Sequence, residues 1–278
     1  MNDPGWKLRR TVMSGRIPAR ITGLCAAFLT VVAVGAVMAG AASAEVVYNN
    51  VPSPLPGNFA SIGLAATSSS EFGGQVQLAG TARKNPTVTV VMSSWTCETG
   101  TVQSNCVTAK NKTFKVPVTI RIYGAGPGEL AEAPLAEKTR SVKMSYRPSS
   151  EPVKCPADAT GGRWFDAATS ECSHGFAFPI AIKVRSKKIP RNAIVTVSYP
   201  TTTVQAQSLN ISTSEPSENT LSVGNHPLSE WIVNSTWSGM YGSAATPADI
   251  GKLGPEIGLD SVEGEGVELQ PVIAISAE

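Results

Sequence analysis

Histidine is almost absent from this chain, which has His174 and His226 and no other among its 278 residues. A zinc site usually draws on several His or Cys at characteristic spacing, and a Ser–His–acid triad needs a histidine held by a third group. Neither pattern is present, and the G-x-S-x-G, H-E-x-x-H and P-loop patterns are missing too. No C-x-x-C occurs, which argues against a structural zinc. After residue 44 no long segment combines apolar residues at helical spacing with a cap at each end, so a helical fold is not expected. There is no internal repeat and no heptad run.

Basic charge is also scarce once the first residues are set aside. The whole chain has 23 Lys and Arg against 21 Asp and Glu, a formal net charge of +2. Lys7, Arg9, Arg10, Arg16 and Arg20 all precede residue 45, with Asp3 as the one acid there, so residues 45–278 come to about −2. No basic stripe remains, and nucleic-acid binding loses its electrostatic footing.

Those first residues read as an address. A basic n-region leads into the uncharged apolar run "ITGLCAAFLTVVAVGAVMAG", and "AASAE" places small residues at Ala42 and Ala44. This is the pattern of a signal peptide, residues 1–44, cut between Ala44 and Glu45. Retention as an anchor is the rival reading, since about 20 apolar residues can span a bilayer. Arg9-Arg10 is loosely like a twin-arginine signal, but Thr11, Val12 and Met13 fit it poorly, so Sec is the expected route and Tat the alternative. "TGL" before Cys25 is a poor lipobox. Cleavage leaves one domain, 45–278, secreted and without a membrane span.

Four cysteines follow the leader: Cys97, Cys106, Cys155 and Cys172. An even number in an exported chain reads as disulfides, and three pairings are open. The sequence-local pairing, Cys97–Cys106 and Cys155–Cys172, needs only short loops and is the one expected. Around them lie β-branched runs: "TVTVVMSSW" (87–95), "KVPVTIRIYG" (115–124), "AFPIAIKV" (177–184), "AIVTVSYP" (193–200) and "VELQPVIAIS" (267–276). Clusters such as "PSPLPGN", "GAGPGE" and "RPSSEP" punctuate them as turns. "GELAEAPLAEKTRSVKMSY" (128–146) reads as a loop entering a strand, and "SLNIST" and "EWIVNSTW" as short strands within a poorly legible region, 200–266. The expected fold is all-β: an antiparallel two-sheet sandwich, jelly-roll or immunoglobulin-like, with two local disulfides.

The ordered segments "VVYNNVPSPLPGNFASIGLAATSSSEFGGQVQLAG" (46–80), "VTVVMSSWTC" (88–97), "PVTIRIYGAGPG" (117–128), "YRPSSEPVKC" (146–155), "GGRWFDAATSEC" (161–172) and "SLNIST" (208–213) resemble a family of secreted actinobacterial proteins. The similarity covers residues 46–215, with a looser echo in "STWSGMYG" (235–242). It implies an exported, all-β, cysteine-stapled domain and carries over no catalytic residues. Members of that family often have more cysteines in their last third; this chain does not.

The candidate site residues are few. Trp164, Phe165 and Asp166 share the loop closed by Cys155 and Cys172. An indole ring can stack on the C–H face of a sugar and offers an N–H donor; equally, burying such a ring stabilises a stapled loop by about 1.5–3 kcal/mol. Both readings of Trp164, exposed contact or buried plug, stay open. Trp231 and Trp237 are further ligand-binding candidates, and Trp95 is expected to pack by the first disulfide. "DSVEGEGVE" (260–268) brings Asp260, Glu263 and Glu265 close together, a weak calcium candidate whose spacing is not that of an EF-hand. No other cofactor is expected, and His174, in a Gly-bounded loop, is not expected to be catalytic. The expected function is a non-catalytic exported binding or adhesion module for polysaccharide. The alternatives are a structural envelope protein that binds another protein, and a hydrolase with a carboxylate pair.

Overall fold

The computed structural model describes residues 44–67, 69–124, 133–156, 162–214, 221–226, 230–233 and 269–278. Trp237, Asp260, Glu263 and Glu265 lie outside the described residues, as does the leader apart from Ala44. The described residues belong to one unit that runs from Ala41 to Glu278.

The chain is all-β. In order it forms β1 (Glu45–Asn49), β2 (Ser61–Ile62), β3 (Glu71–Gln77), β4 (Thr87–Ser94), β5 (Thr113–Gly124), β6 (Ala136–Ser145), β7 (Trp164–Asp166), β8 (Glu171–Ser173), β9 (Phe176–Lys183) and β10 (Asn192–Ser198). One helical turn, α1 (Val204–Gln207), precedes β11 (Leu209–Ser214), β12 (Glu230–Val233), β13 (Gln270–Pro271) and β14 (Ile273–Ala277).

Side-chain alternation accounts for the long strands. In β5, Val116, Val118, Ile120 and Ile122 point one way and are buried, while Lys115, Thr119 and Arg121 point the other; a pleated strand with one face on a core demands this period of two. Pro117 is tolerated because it lies beyond Thr119, the last β5 residue paired with β10, where β5 has β6 alone beside it. β4 breaks the alternation. Val88, Val90 and Met92 face the main core, while Val91 packs on the opposite face with Ala177 and Val272, under Val51, Leu55 and Phe59. A strand covered on both faces reads as a continuous apolar run.

The strands make an antiparallel two-sheet sandwich. In the first sheet β4 is the spine. β9 runs along its whole length on one side, from Thr87↔Lys183 to Ser94↔Phe176. On the other side β14 covers Thr87–Val90 and β11 covers Met92–Ser94. β1 lies beyond β14, and β2 and β13 beyond β11. The second sheet has the order β12-β3-β10-β5-β6. Val88, Met92, Ile180 and Ile182 from the first sheet meet Phe72, Ile120, Ile122 and Val195 from the second in one apolar cluster. A separate hairpin, β7–β8, stands apart from both sheets.

Four of the β-branched runs predicted as strands are β4, β5, β9 and β10, and 128–146 ends in β6 as expected; the last run, 267–276, is divided, with β13 paired to β11 and β14 to β4. The sequence reading overlooked β3, because "EFGG" puts two glycines where strands rarely carry them. Those glycines are required by close approach. A Cβ on Gly73 would fall 2.2 Å from the Val195 carbonyl oxygen, and one on Gly74 would fall 2.1 Å from Gln270 Oε1.

Residues 221–226 pack along this body, with Asn225 bridged to Gln77 and the His226 Nδ1 2.8 Å from the Tyr48 hydroxyl. Burial lowers the His226 pKa below its ordinary 6.5. The folded state therefore takes up a proton less readily than the unfolded chain. Its stability is full above pH 6.5 and is lost as pH falls through the depressed value. The melting temperature is expected to drop as pH falls below 6.5, and His226→Gln to flatten that slope. Glu98 and Glu278, whose pKa values are lowered below 4.5, act outside this window. Thermal melts across the range check it; an unchanged slope in the variant would assign the effect elsewhere.

Candidate functional site

At the end of the sandwich marked by Ser94, Phe176 and Ser145, four loops gather, and both disulfides are among them. Cys97 is bonded to Cys106 and Cys155 to Cys172, with Cα separations of 5.3 and 5.7 Å. Three pairings were open to the sequence; the local one is present. The two stapled loops also touch each other. Gly162 has φ +68°, and a Cβ there would stand 2.4 Å from the Val102 carbonyl oxygen. Only glycine takes that backbone conformation and that approach without strain.

Arg147 joins the two loops from beneath. Its side chain is fully buried. Nη1 donates to the Val102 carbonyl at 3.1 Å, Nη2 to the Gly162 carbonyl and Nε to that of Pro148 at 3.1 Å. These acceptors are all backbone carbonyls, one from each stapled loop and one from Arg147's own strand exit. Desolvation pulls the guanidinium pKa down to about 10, so the group still carries its charge at neutral pH. The main chain adds further ties: Arg147 N–H to Thr96 O, Ser150 N–H to Cys106 O and Glu151 N–H to Arg163 O.

Trp164 is the plug of its loop. It is 5% exposed. Its indole N–H donates to the Gly175 carbonyl at 2.7 Å, and its ring meets Phe176 edge-on at 5.5 Å. Phe176 in turn lies 6.1 Å from Phe178, so a line of rings runs from the hairpin into the core. Of the two readings left open by the sequence, burial wins, because the loop supplies both an apolar bed and an acceptor for the N–H. Trp164 is thus removed from the surface contacts. Phe165, on the opposite face of β7, is half-buried under the Lys154 ammonium, 4.6 Å from its ring centre. Asp166 accepts from the Ala168 N–H at 2.9 Å and closes the β7–β8 turn, a local capping role. Trp95 stacks on His174, with ring centres 6.0 Å apart and planes 12° from parallel. Trp231 lies on β12, paired with Gly73.

Beside this aromatic line is a cleft of about 360 Å³. Thr108–Lys112 form one wall, Ser145, Tyr146, Pro148 and Ser149 the other, and Phe176 contributes from below. The walls are held together: the Thr108 N–H donates to Ser149 Oγ at 2.9 Å, and Tyr146 N–H to Lys112 O. Asn111, at φ +63°, turns the first wall back on itself. The Tyr146 ring is half-buried and rests on Phe114 at 4.8 Å. Lys110 is exposed, and Lys112 reaches Glu98 at 3.2 Å. Glu98 also accepts from the Ala109 N–H at 2.8 Å; that bond first, then Lys112, hold its carboxyl below the usual range. It stays ionised at neutral pH and cannot serve as a proton donor.

A second charged cluster lies on the second sheet's far face. Glu71, buried, accepts from Arg121 at 2.9 Å, from the Tyr123 hydroxyl at 3.2 Å and from the Thr196 hydroxyl. Arg121 also holds Glu137 at 2.6 Å. Glu71 is saturated with donors, which makes this cluster a cross-strand tie. Among the described residues no group of three His, Cys, Asp or Glu is arranged to hold a metal ion.

The cleft residues Lys110, Tyr146, Ser149 and Phe176 were not among the sequence candidates. The signal available was hairpin register: with Thr113 opposite Ser145 across β5 and β6, residues 112 and 146 must be neighbours. The fold and the cleft define an all-β, disulfide-capped sandwich protein. No family model, curated protein or solved structure matches the chain.

Truncating Arg147 leaves the Val102 carbonyl without its donor, leaves the Gly162 carbonyl with the Ser150 hydroxyl alone, and empties the space under both loops. Arg147→Ala is expected to cost about 3 kcal/mol or more in urea unfolding, and Lys154→Ala, which loses one exposed cation–π contact, less than about 1 kcal/mol. Equal costs would refute the bridging role.

Proposed function

We propose that the protein is an exported, non-catalytic binding module that takes up an acidic saccharide segment in the cleft between residues 108–112 and 145–149. The cleft itself carries this reading. It has the volume of a small-ligand site, and a partly exposed tyrosine ring can stack on a pyranose face. The exposed Lys110 ammonium suits the carboxylate of a uronic acid, and the exposed Asn111 side chain can meet hydroxyls. The basic n-region, the apolar run and the two disulfides support export to an oxidising compartment. Binding is favoured over hydrolysis because Glu98, the carboxylate beside the cleft, is kept ionised by the Ala109 N–H and Lys112.

The buried Trp164 contributes at one remove. By pressing on Phe176 it sets the floor against which a ligand would rest.

Titration with uronate-containing and neutral oligosaccharides tests the proposal. The uronate series is expected to bind, with Lys110→Ala weakening it about tenfold, a loss of roughly 1.4 kcal/mol, at an unchanged melting temperature, and Tyr146→Ala weakening it about as much with some loss of stability because its ring packs on Phe114. A well-folded wild type that ignores every uronate oligomer would end this reading.

A further inference from the structure

The opposite end of the sandwich is built differently. Two loops, 79–86 and 184–191, are laced together there by main-chain bonds: Asn85 N–H to Ser186 O, Ile189 N–H to Arg83 O and Leu78 N–H to Arg191 O. They bring Lys84, Arg185, Lys187, Lys188 and Arg191 to the surface, and Lys183 stands exposed at the end of β9 beside them. Arg83 does not add to this surface charge. Its guanidinium donates to the carbonyls of Leu78, Ala79, Gly80 and Ala82 and makes the first loop rigid. Among the described residues, the carboxylates at this end are Glu45 and Glu278; Glu278 is taken up by Lys183 at 2.6 Å. Glu137, one step along β6, is occupied by Arg121. The chain as a whole is close to neutral, so this is a local concentration of charge, not a consequence of composition.

Two further features distinguish this end from a site for a soluble anion. Leu135, 52% exposed, lies in a broad depression of about 750 Å³ with Arg83, Lys188 and Arg191. Val46, 48% exposed, stands beside Glu45 at the same end. Leu135 beside the exposed Lys188 and Arg191 suits a bilayer interface, where an apolar side chain enters the headgroup layer and cations meet phosphates.

We propose that this basic end is a docking surface for an anionic lipid bilayer. The geometry would leave the disulfide-capped end, about 25 Å away along β4 at 3.3 Å per residue, pointing outward.

The full chain is expressed for export, so that wild type and variants carry the same leader state, and is floated with phosphatidylcholine vesicles with or without about 30% phosphatidylglycerol. An apolar leader partitions into both; a basic surface prefers the anionic one. The wild type is expected to bind the anionic vesicles more tightly, and Arg185→Glu/Lys187→Glu/Lys188→Glu to lose that preference by about tenfold or more. The charge-matched control Lys115→Glu/Arg140→Glu/Lys143→Glu, placed toward the other end, should stay within about twofold of wild type. If the glutamate triple fails to fold by circular dichroism, the glutamine triple replaces it. Equal binding to both vesicles, or equal losses in both triples, overturns the proposal. So does binding to soluble polyphosphate by a wild type that does not float with anionic vesicles.

Discussion

A single buried guanidinium organises the disulfide-capped end of this protein. Arg147 places one charged donor group among carbonyls that belong to two disulfide loops, and among the described residues no strand ladder joins one loop to the other. Burying an unpaired charge costs several kcal/mol, and here each of the three guanidinium nitrogens donates to a carbonyl. The disulfides restrict each loop on its own. Arg147 restricts one loop relative to the other, and Gly162 makes room for that contact.

From that tie the rest of the cap follows in sequence. With the second loop fixed, Trp164 reaches Gly175 and Phe176; with Phe176 fixed, the cleft by Tyr146 has a floor. The proposed saccharide contacts thus lie on segments anchored to β5, β6 and β9, which is where a binding surface needs its rigidity. The proposed membrane-facing end uses a different device. Its loops are held by main-chain bonds to each other and by Arg83, and they leave their long cationic side chains free of such duty.

Much of the fold was legible in the sequence. Val116, Val118, Ile120 and Ile122 alternate so regularly that β5 could not be mistaken, and cysteines spaced 9 and 17 residues apart favoured local pairing. The site was much less legible. Trp164 drew attention because tryptophan is rare and large, yet its fate depended on whether an acceptor lay within reach, and Gly175 supplied one. Lys110 and Tyr146 drew none, since each is ordinary in its own segment. The basic end was hidden in the same way: "TARK" and "RSKK" are unremarkable runs until they are brought side by side, and the overall charge conceals them.

The sequence by itself determined the class of fold, because side-chain period and cysteine spacing are properties of neighbours along the chain. Only the tertiary structure decided which rings are buried, which lysines converge and which arginine bears the loops. Those are facts about residues far apart in sequence, and they come into being when the sheets stack and the loops close over their ends.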